Sequence, residues 1–181
     1  MTFPTFKDKR YYPEEVDVVV GTIDAGNRFS VREVDADVLE ISEIAGAVPT
    51  GGFDVIFTFK GVMPPWYRRT DLRIIIDGYY DGNAAHEVKI YVWNYDTDAW
   101  DAVTADAKDL PDKTVEDNYE FVVPTGPYTD GTIAERDRYE GTGEVKVRVI
   151  HNDSGNAAHD IFFNRVTLGF SSHESRAGIA G

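Results

Sequence analysis

The chain has 181 residues, with 18 Lys and Arg against 32 Asp and Glu, a formal charge of -14 and a pI near 4.6. That length suits one domain with a full core, or one domain carrying arms, and the acidity works against nucleic acid and anionic membranes, whose binding relies on Lys and Arg displacing counterions. Without Cys there are no disulfides or thiolate sites, no stretch approaches the roughly 18 apolar residues of a membrane span, and the start MTFPTFKDKRYYPEE lacks a secretory h-region, so a soluble protein is expected.

In chain order, residues 1–15 come first, an aromatic and locally basic stretch (Phe3, Phe6, Tyr11, Tyr12 with Lys7, Lys9, Arg10) that reads as an N-terminal arm able to dock on an acidic neighbour, with a first edge strand lying on its own domain as the slightly preferred alternative. Beyond it apolar residues recur at period two, the signature of strands with one buried face. Strands are predicted over 17–23, 28–34, 38–44, 53–62, 72–79, 86–94, 99–103, 119–123, 145–151 and 160–170. Turn residues separate them at 24–27, 50–52, 81–83, 95–98 and 153–156, where Gly, Asn and Asp tolerate positive φ or form Asx turns. Residues 101–108 could hold one helical turn, ended before Pro111. The run 124–143, PTGPYTDGTIAERDRYEGTG, is longer than an ordinary connection and reads as a functional or partner-ordered loop. Many short strands without a long amphipathic helix predict an all-β sandwich or barrel over residues 16–170, followed by a tail at 171–181 with little to bury.

The pentapeptide GNAAH occurs twice, at 82–86 and 155–159, followed by Glu87 or Asp160. The match extends back through DLRIII at 71–76 and EVKVRV at 144–149, so the repeated unit reads as a β-hairpin used twice. Strand parity places His86 in one row with Val88, Ile90 and Val92, and His159 with Ile161 and Phe163, at the start of core-facing rows. The residues Gly82, Asn83, His86, Gly155, Asn156 and His159 are therefore read as structural loop closure. Gly supplies unusual backbone angles, Asn ties the turn, and His plugs the end of the core. A metal reading is weaker, because His86 and Glu87, or His159 and Asp160, point to opposite faces. His151 and His159 would form a pair without a clear third ligand, so no metal is assigned. Asp77, Asp81, Asp96 and Asp98 lie near loops and could hold a structural calcium; a solvated acidic rim is the preferred reading.

No GxSxG, P-loop, GxGxxG, HExxH or EF-hand motif is present, and no catalytic residue is assigned. Two aromatic groups are more informative. Tyr91, Trp93 and Tyr95 oppose the apolar row, with Trp100 returning on the next strand, and the loop 63–69 presents Trp66, Tyr67 and Arg68. Together with Tyr128 in the long loop, these are the candidate partner- or glycan-binding residues, since Trp, Tyr and Arg anchor protein interfaces and flat aromatics stack on sugar rings. A minor core beneath a long loop is the competing reading for Trp93 and Trp100.

Residues 53–170 resemble the galactose-binding-like jelly-roll modules of tailed-bacteriophage virion proteins, through GGFDVIFTFKGV, the VKIYVWNYDTDAW hairpin and the closing HDIFFNRVTLGF after VKVRVIH. The resemblance implies a two-sheet antiparallel jelly-roll β-sandwich with extended N- and C-terminal arms, serving assembly or adhesion rather than chemistry. It points to a non-enzymatic virion protein that assembles in the host cytoplasm, a capsid decoration or cement protein. Its expected partners are the major capsid protein or other virion subunits, with homo-oligomeric packing in the assembly. The alternative is a carbohydrate-binding or adhesion module of a tail or head fibre.

Overall fold

A computed structural model describes residues 10–47, 51–62, 70–82, 86–103, 117–123, 138, 139, 141, 143–151 and 153–172. Among the described residues there are ten strands: β1 (Glu15–Val20), β2 (Thr22–Ala25), β3 (Leu39–Ser42), β4 (Phe53–Lys60), β5 (Thr70–Tyr80), β6 (Lys89–Asn94), β7 (Ala99–Ala102), β8 (Asp117–Val122), β9 (Glu144–His151) and β10 (Asp160–Ser172). They form two five-stranded sheets, ordered β1-β4-β9-β6-β7 and β2-β3-β10-β5-β8. Every pairing between them is antiparallel. The fold is the expected all-β sandwich.

The core lies between the sheets and is built from the period-two rows. Phe53, Val55, Phe57 and Phe59 of β4, and Val145, Val147 and Val149 of β9, face Ile74 and Ile76 of β5 and Ile161 and Phe163 of β10, all fully buried. Phe57 and Phe163 meet edge to face across the sandwich, with ring centroids 5.1 Å apart, a preferred aromatic geometry.

Several predicted elements are corrected. The strand expected over 17–23 is two strands, broken at Gly21, whose φ of 119° sends β1 into one sheet and β2 into the other. No strand forms over 28–34. There Asn27 and Ser30 bond the local backbone, with Phe29 N–H donating to Asn27 Oδ1 at 2.9 Å and Asn27 N–H to Ser30 Oγ at 3.1 Å. These side-chain bonds favour turns over a ladder, and Val31 alone enters the core while Phe29 and Val34 stay exposed.

The repeat is not a hairpin. β5 and β6 lie in opposite sheets, as do β9 and β10, and the partners are β5 with β10 and β6 with β9. Each GNAAH unit is therefore a crossover between the sheets, and the two run in opposite senses. Hairpin and crossover share one linear pattern, because period two reports faces and not partners.

Of the residues read as an N-terminal arm, those described lie on the chain's own sandwich. Tyr11 is buried and exchanges both backbone hydrogen bonds with Leu168, at 2.9 and 3.0 Å. Residues 1–9 and 173–181, which carry the rest of the arm and of the tail, lie outside the described residues, as do Trp66, Tyr67, Arg68, Asn83 and Tyr128.

Candidate functional site

Two constellations stand out, one on an outer sheet face and one at the end of the sandwich. The first follows from register. Outward residues of the β1-β4-β9-β6-β7 sheet align in rows, Glu15 beside Thr58 beside Lys146, and Asp17 beside Ile56 beside Arg148 beside Tyr91. Trp93 and Trp100 are directly paired where the first row reaches β6 and β7. Glu15, Asp17, Ile56, Thr58, Trp93, Trp100, Glu144 and Lys146 line a groove of about 310 Å³. It crosses five strands, which at about 4.8 Å spacing is roughly 19 Å.

The aromatic end of the groove is held firmly. Trp93 and Trp100 are half-buried, with centroids 5.1 Å apart and planes at 72°. The Arg148 guanidinium lies 5.6 Å from the Trp100 ring centre and is fixed by a two-pronged ion pair to Asp54 at 2.7 and 2.5 Å. In the turn joining β6 to β7, Asn94 Oδ1 accepts the N–H groups of Asp96 and Thr97 at 3.0 and 3.3 Å. Asn94 Nδ2 and the Tyr139 hydroxyl both donate to Asp101, at 2.8 and 2.9 Å.

Tyr95 does not join the aromatic surface. Its hydroxyl donates to Glu144 at 3.0 Å, so it braces the groove wall, and burial followed by Glu144 raises its pKa. Charges along the floor are mostly paired, Lys146 with Glu144 at 3.2 Å and Lys60 with Glu15, and Lys60 holds the Glu15 carboxyl below the usual range. Tyr91 lies outward beside Arg148 in the neighbouring row. Parity in the sequence places Tyr91 and Trp93; Thr58, Glu15, Asp17 and Lys146 are missed because strand partners are invisible there.

The second constellation lies where both crossovers leave the sheets. Glu43, just past β3, has a fully buried side chain. The Tyr80 hydroxyl donates to Glu43 Oε1 at 2.6 Å, His151 Nδ1 lies 2.5 Å from the same oxygen, and the Asn156 N–H donates to Oε2 at 2.9 Å. His159 Nδ1 is 3.6 Å from Oε2, and His86 Nδ1 is 3.1 Å from the Tyr80 hydroxyl. The rings of His86 and His151 stack at 4.7 Å. Burial pushes the Glu43 carboxyl up, but the bonds from His151, Tyr80 and Asn156 outweigh it and leave it below the ordinary range. Burial, then the neighbouring His151, lowers His86.

Close backbone packing holds this end together. Gly155 and Gly46 exchange hydrogen bonds at 2.9 and 3.3 Å, and Gly82 lies against the Tyr80 ring. The Asn156 side chain caps Ala158 N–H at 3.1 Å.

A carboxylate does converge with the histidines, contrary to the sequence reading. It comes from Glu43 rather than from Glu87 or Asp160, and a side chain from a third strand end escapes the adjacent-residue argument. A sequence signal existed: Leu39, Ile41 and Glu43 share parity, which puts an acid on a core-facing row. The calcium candidates do not gather. Asp77 pairs with Arg165 at 2.5 Å, Asp81 accepts Asp160 N–H at 2.6 Å, and Asp96 and Asp98 lie exposed in the β6–β7 turn.

The sequence matches no family model and no curated protein. Among solved structures, the enzymatically active domain of tailspike protein 4 from bacteriophage CBA120 is 13% identical over 87% of this chain, with a TM-score of 0.45, and the match spans 19% of that chain. The Stig cyclase Fisc from Fischerella sp. TAU is 14% identical over 96% of this chain and 80% of its own, TM-score 0.46. The low-affinity xylan-binding module CBM86 from Roseburia intestinalis is 16% identical over 92% and 96%, TM-score 0.39. The likeness concerns the β-sandwich, and the chemistry of this chain rests on its own residues.

Proposed function

We propose that the chain is a carbohydrate-binding module whose binding face is the outer surface of the β1-β4-β9-β6-β7 sheet. The observation that carries this is the groove with Trp93 and Trp100 together at one end and acids, Lys146 and Thr58 along its floor. Aromatic faces pack against the C–H faces of sugar rings, while carboxylates accept from sugar hydroxyls and the ammonium donates to them. The paired floor charges and the net charge of -14 favour a neutral glycan over a polyanionic one. As a cement protein the chain would bind virion subunits through the arms, the 124–143 loop and the aromatic patch; most of the arms and of that loop lies outside the described residues, and the groove beside the patch favours the glycan reading.

A glycan array of neutral polysaccharides and their oligosaccharides, followed by affinity electrophoresis, tests the proposal. At least one class binds, and Trp100→Ala and Trp93→Ala each weaken binding by about tenfold or more, about 1.4 kcal/mol, with the circular dichroism spectrum retained. Failure of every neutral glycan to bind, or binding undiminished in both variants, would overturn it.

A further inference from the structure

The buried cluster at the crossover end is separate from the outer-face groove, and one of its buried polar atoms has no hydrogen-bond partner among the described residues. The Tyr80 oxygen lies 3.1, 3.5 and 3.5 Å from the Nδ1 atoms of His86, His151 and His159. A phenol has one proton, and here it points to Glu43 at 2.6 Å. Three imidazole nitrogens surround this hydroxyl, that of His86 nearest. His151 Nε2 is buried with no hydrogen-bond partner among the described residues. The Glu43 carboxylate has no exposure, and the ion-pair partners it has among the described residues are His151 and His159. A buried carboxylate without a fixed cation is costly.

One addition answers these observations together. We propose that Glu43, His86 and His151 bind a divalent d-block cation of the Zn²⁺ type. One donor atom from each already lies within 4.8 Å of the others. Ligand bonds of about 2.0–2.2 Å put donors roughly 3.3–3.6 Å apart in a tetrahedron, so His151 Nδ1 and Glu43 Oε1, 2.5 Å apart without the ion, would separate as it enters, and the Tyr80 hydroxyl beside Oε1 would turn aside. Imidazole nitrogen with one carboxylate oxygen suits zinc and its d-block neighbours rather than calcium or magnesium, which prefer all-oxygen sites. The cation compensates the carboxylate. Burial of Glu43 and His151 shields the ion from solvent, which suits a structural site. It would pin the first GNAAH crossover, through His86, and the end of β9, through His151, to the end of β3.

The test uses the untagged full chain, stripped with chelator and titrated with Zn²⁺ by calorimetry, with metal content by elemental analysis. One equivalent binds. Zn²⁺ at a hundredfold over Kd raises Tm by roughly 5–10 °C through linkage. His86→Gln, at a half-buried loop position, weakens binding at least tenfold while the chain stays folded. Co²⁺ in the unmutated protein gives visible absorption from nitrogen and oxygen ligands, which needs no variant to fold. Absence of stoichiometric Zn²⁺ uptake, or a silent Co²⁺ spectrum, or wild-type affinity in folded His86→Gln would overturn the proposal. Glycan binding through Trp93 and Trp100 is scored independently, so either reading can fail without the other.

Discussion

At the scale of single residues, Gly52 shows how tightly the crossover end is assembled. Its φ of 82° lies in the left-handed region, and a Cβ there would meet the His151 carbonyl oxygen at 2.0 Å. Both the backbone angle and the space demand glycine, so Gly52→Ala should cost about 2 kcal/mol or more, read as a shifted denaturation midpoint in urea. Tyr95 and Tyr139 make a second prediction. Burial, and then the bonds they donate to Glu144 and Asp101, raise both pKa values. A folded value above the unfolded one, near 10, means stability that is fully present below about pH 10 and lost as pH climbs through the folded value. Ultraviolet titration of the 10 tyrosines should therefore show these two ionising later than the exposed ones; ionisation of all ten together in a still-folded chain would contradict it. Neither tyrosine's partner can be read from the linear chain, because Glu144 and Asp101 reach them through the fold. Glu43 was half legible: its parity with Leu39 and Ile41 marks it as inward, but only the meeting of three strand ends shows what it faces.

Among elements, β10 carries the clearest break in pattern. Ile161 and Phe163 face the core, then Val166 and Leu168 do, a change of parity at the bulge between Phe163 and Arg165. The extra residue, Asn164, is buried, and its amide holds Asp35 from both sides, accepting its N–H at 3.0 Å and donating to its carbonyl at 3.2 Å. Asn164→Ala should cost about 1–3 kcal/mol by leaving those backbone groups unpaired, and hydrogen exchange should quicken at Asp35 while β4 and β9 stay protected. The segment around Val31 failed as a predicted strand for a related reason. Asn27 and Ser30 offer its backbone local partners, and Val166 N–H donates to Val31 O at 2.9 Å, so one inward valine is packed without a ladder. β1 and β2 were read as one strand because Gly21 sits inside an unbroken apolar alternation that does not show a change of sheet.

For the whole molecule, stability comes from the seam between the sheets. Phe57 and Phe163 are both fully buried and meet edge to face, so Phe57→Ala should cost about 3–5 kcal/mol. Measured with Phe163→Ala in a double-mutant cycle, the pair should show coupling of about 0.5–1.5 kcal/mol, while a change on the outer face, such as Tyr91→Ala, should shift stability much less. The sequence by itself determined where most strands run, which residues are inward, and that an aromatic row faces out, because side-chain alternation is a local property of extended backbone. Tertiary structure alone decided which strands are neighbours. That choice turned the repeated unit from a hairpin into a pair of opposed crossovers, lined Trp93 and Trp100 up with Thr58, Lys146 and Glu15 across five strands, and brought Glu43 to three histidines from distant strand ends. Pairing between strands far apart in the chain depends on long-range packing and register, which period-two alternation leaves undetermined.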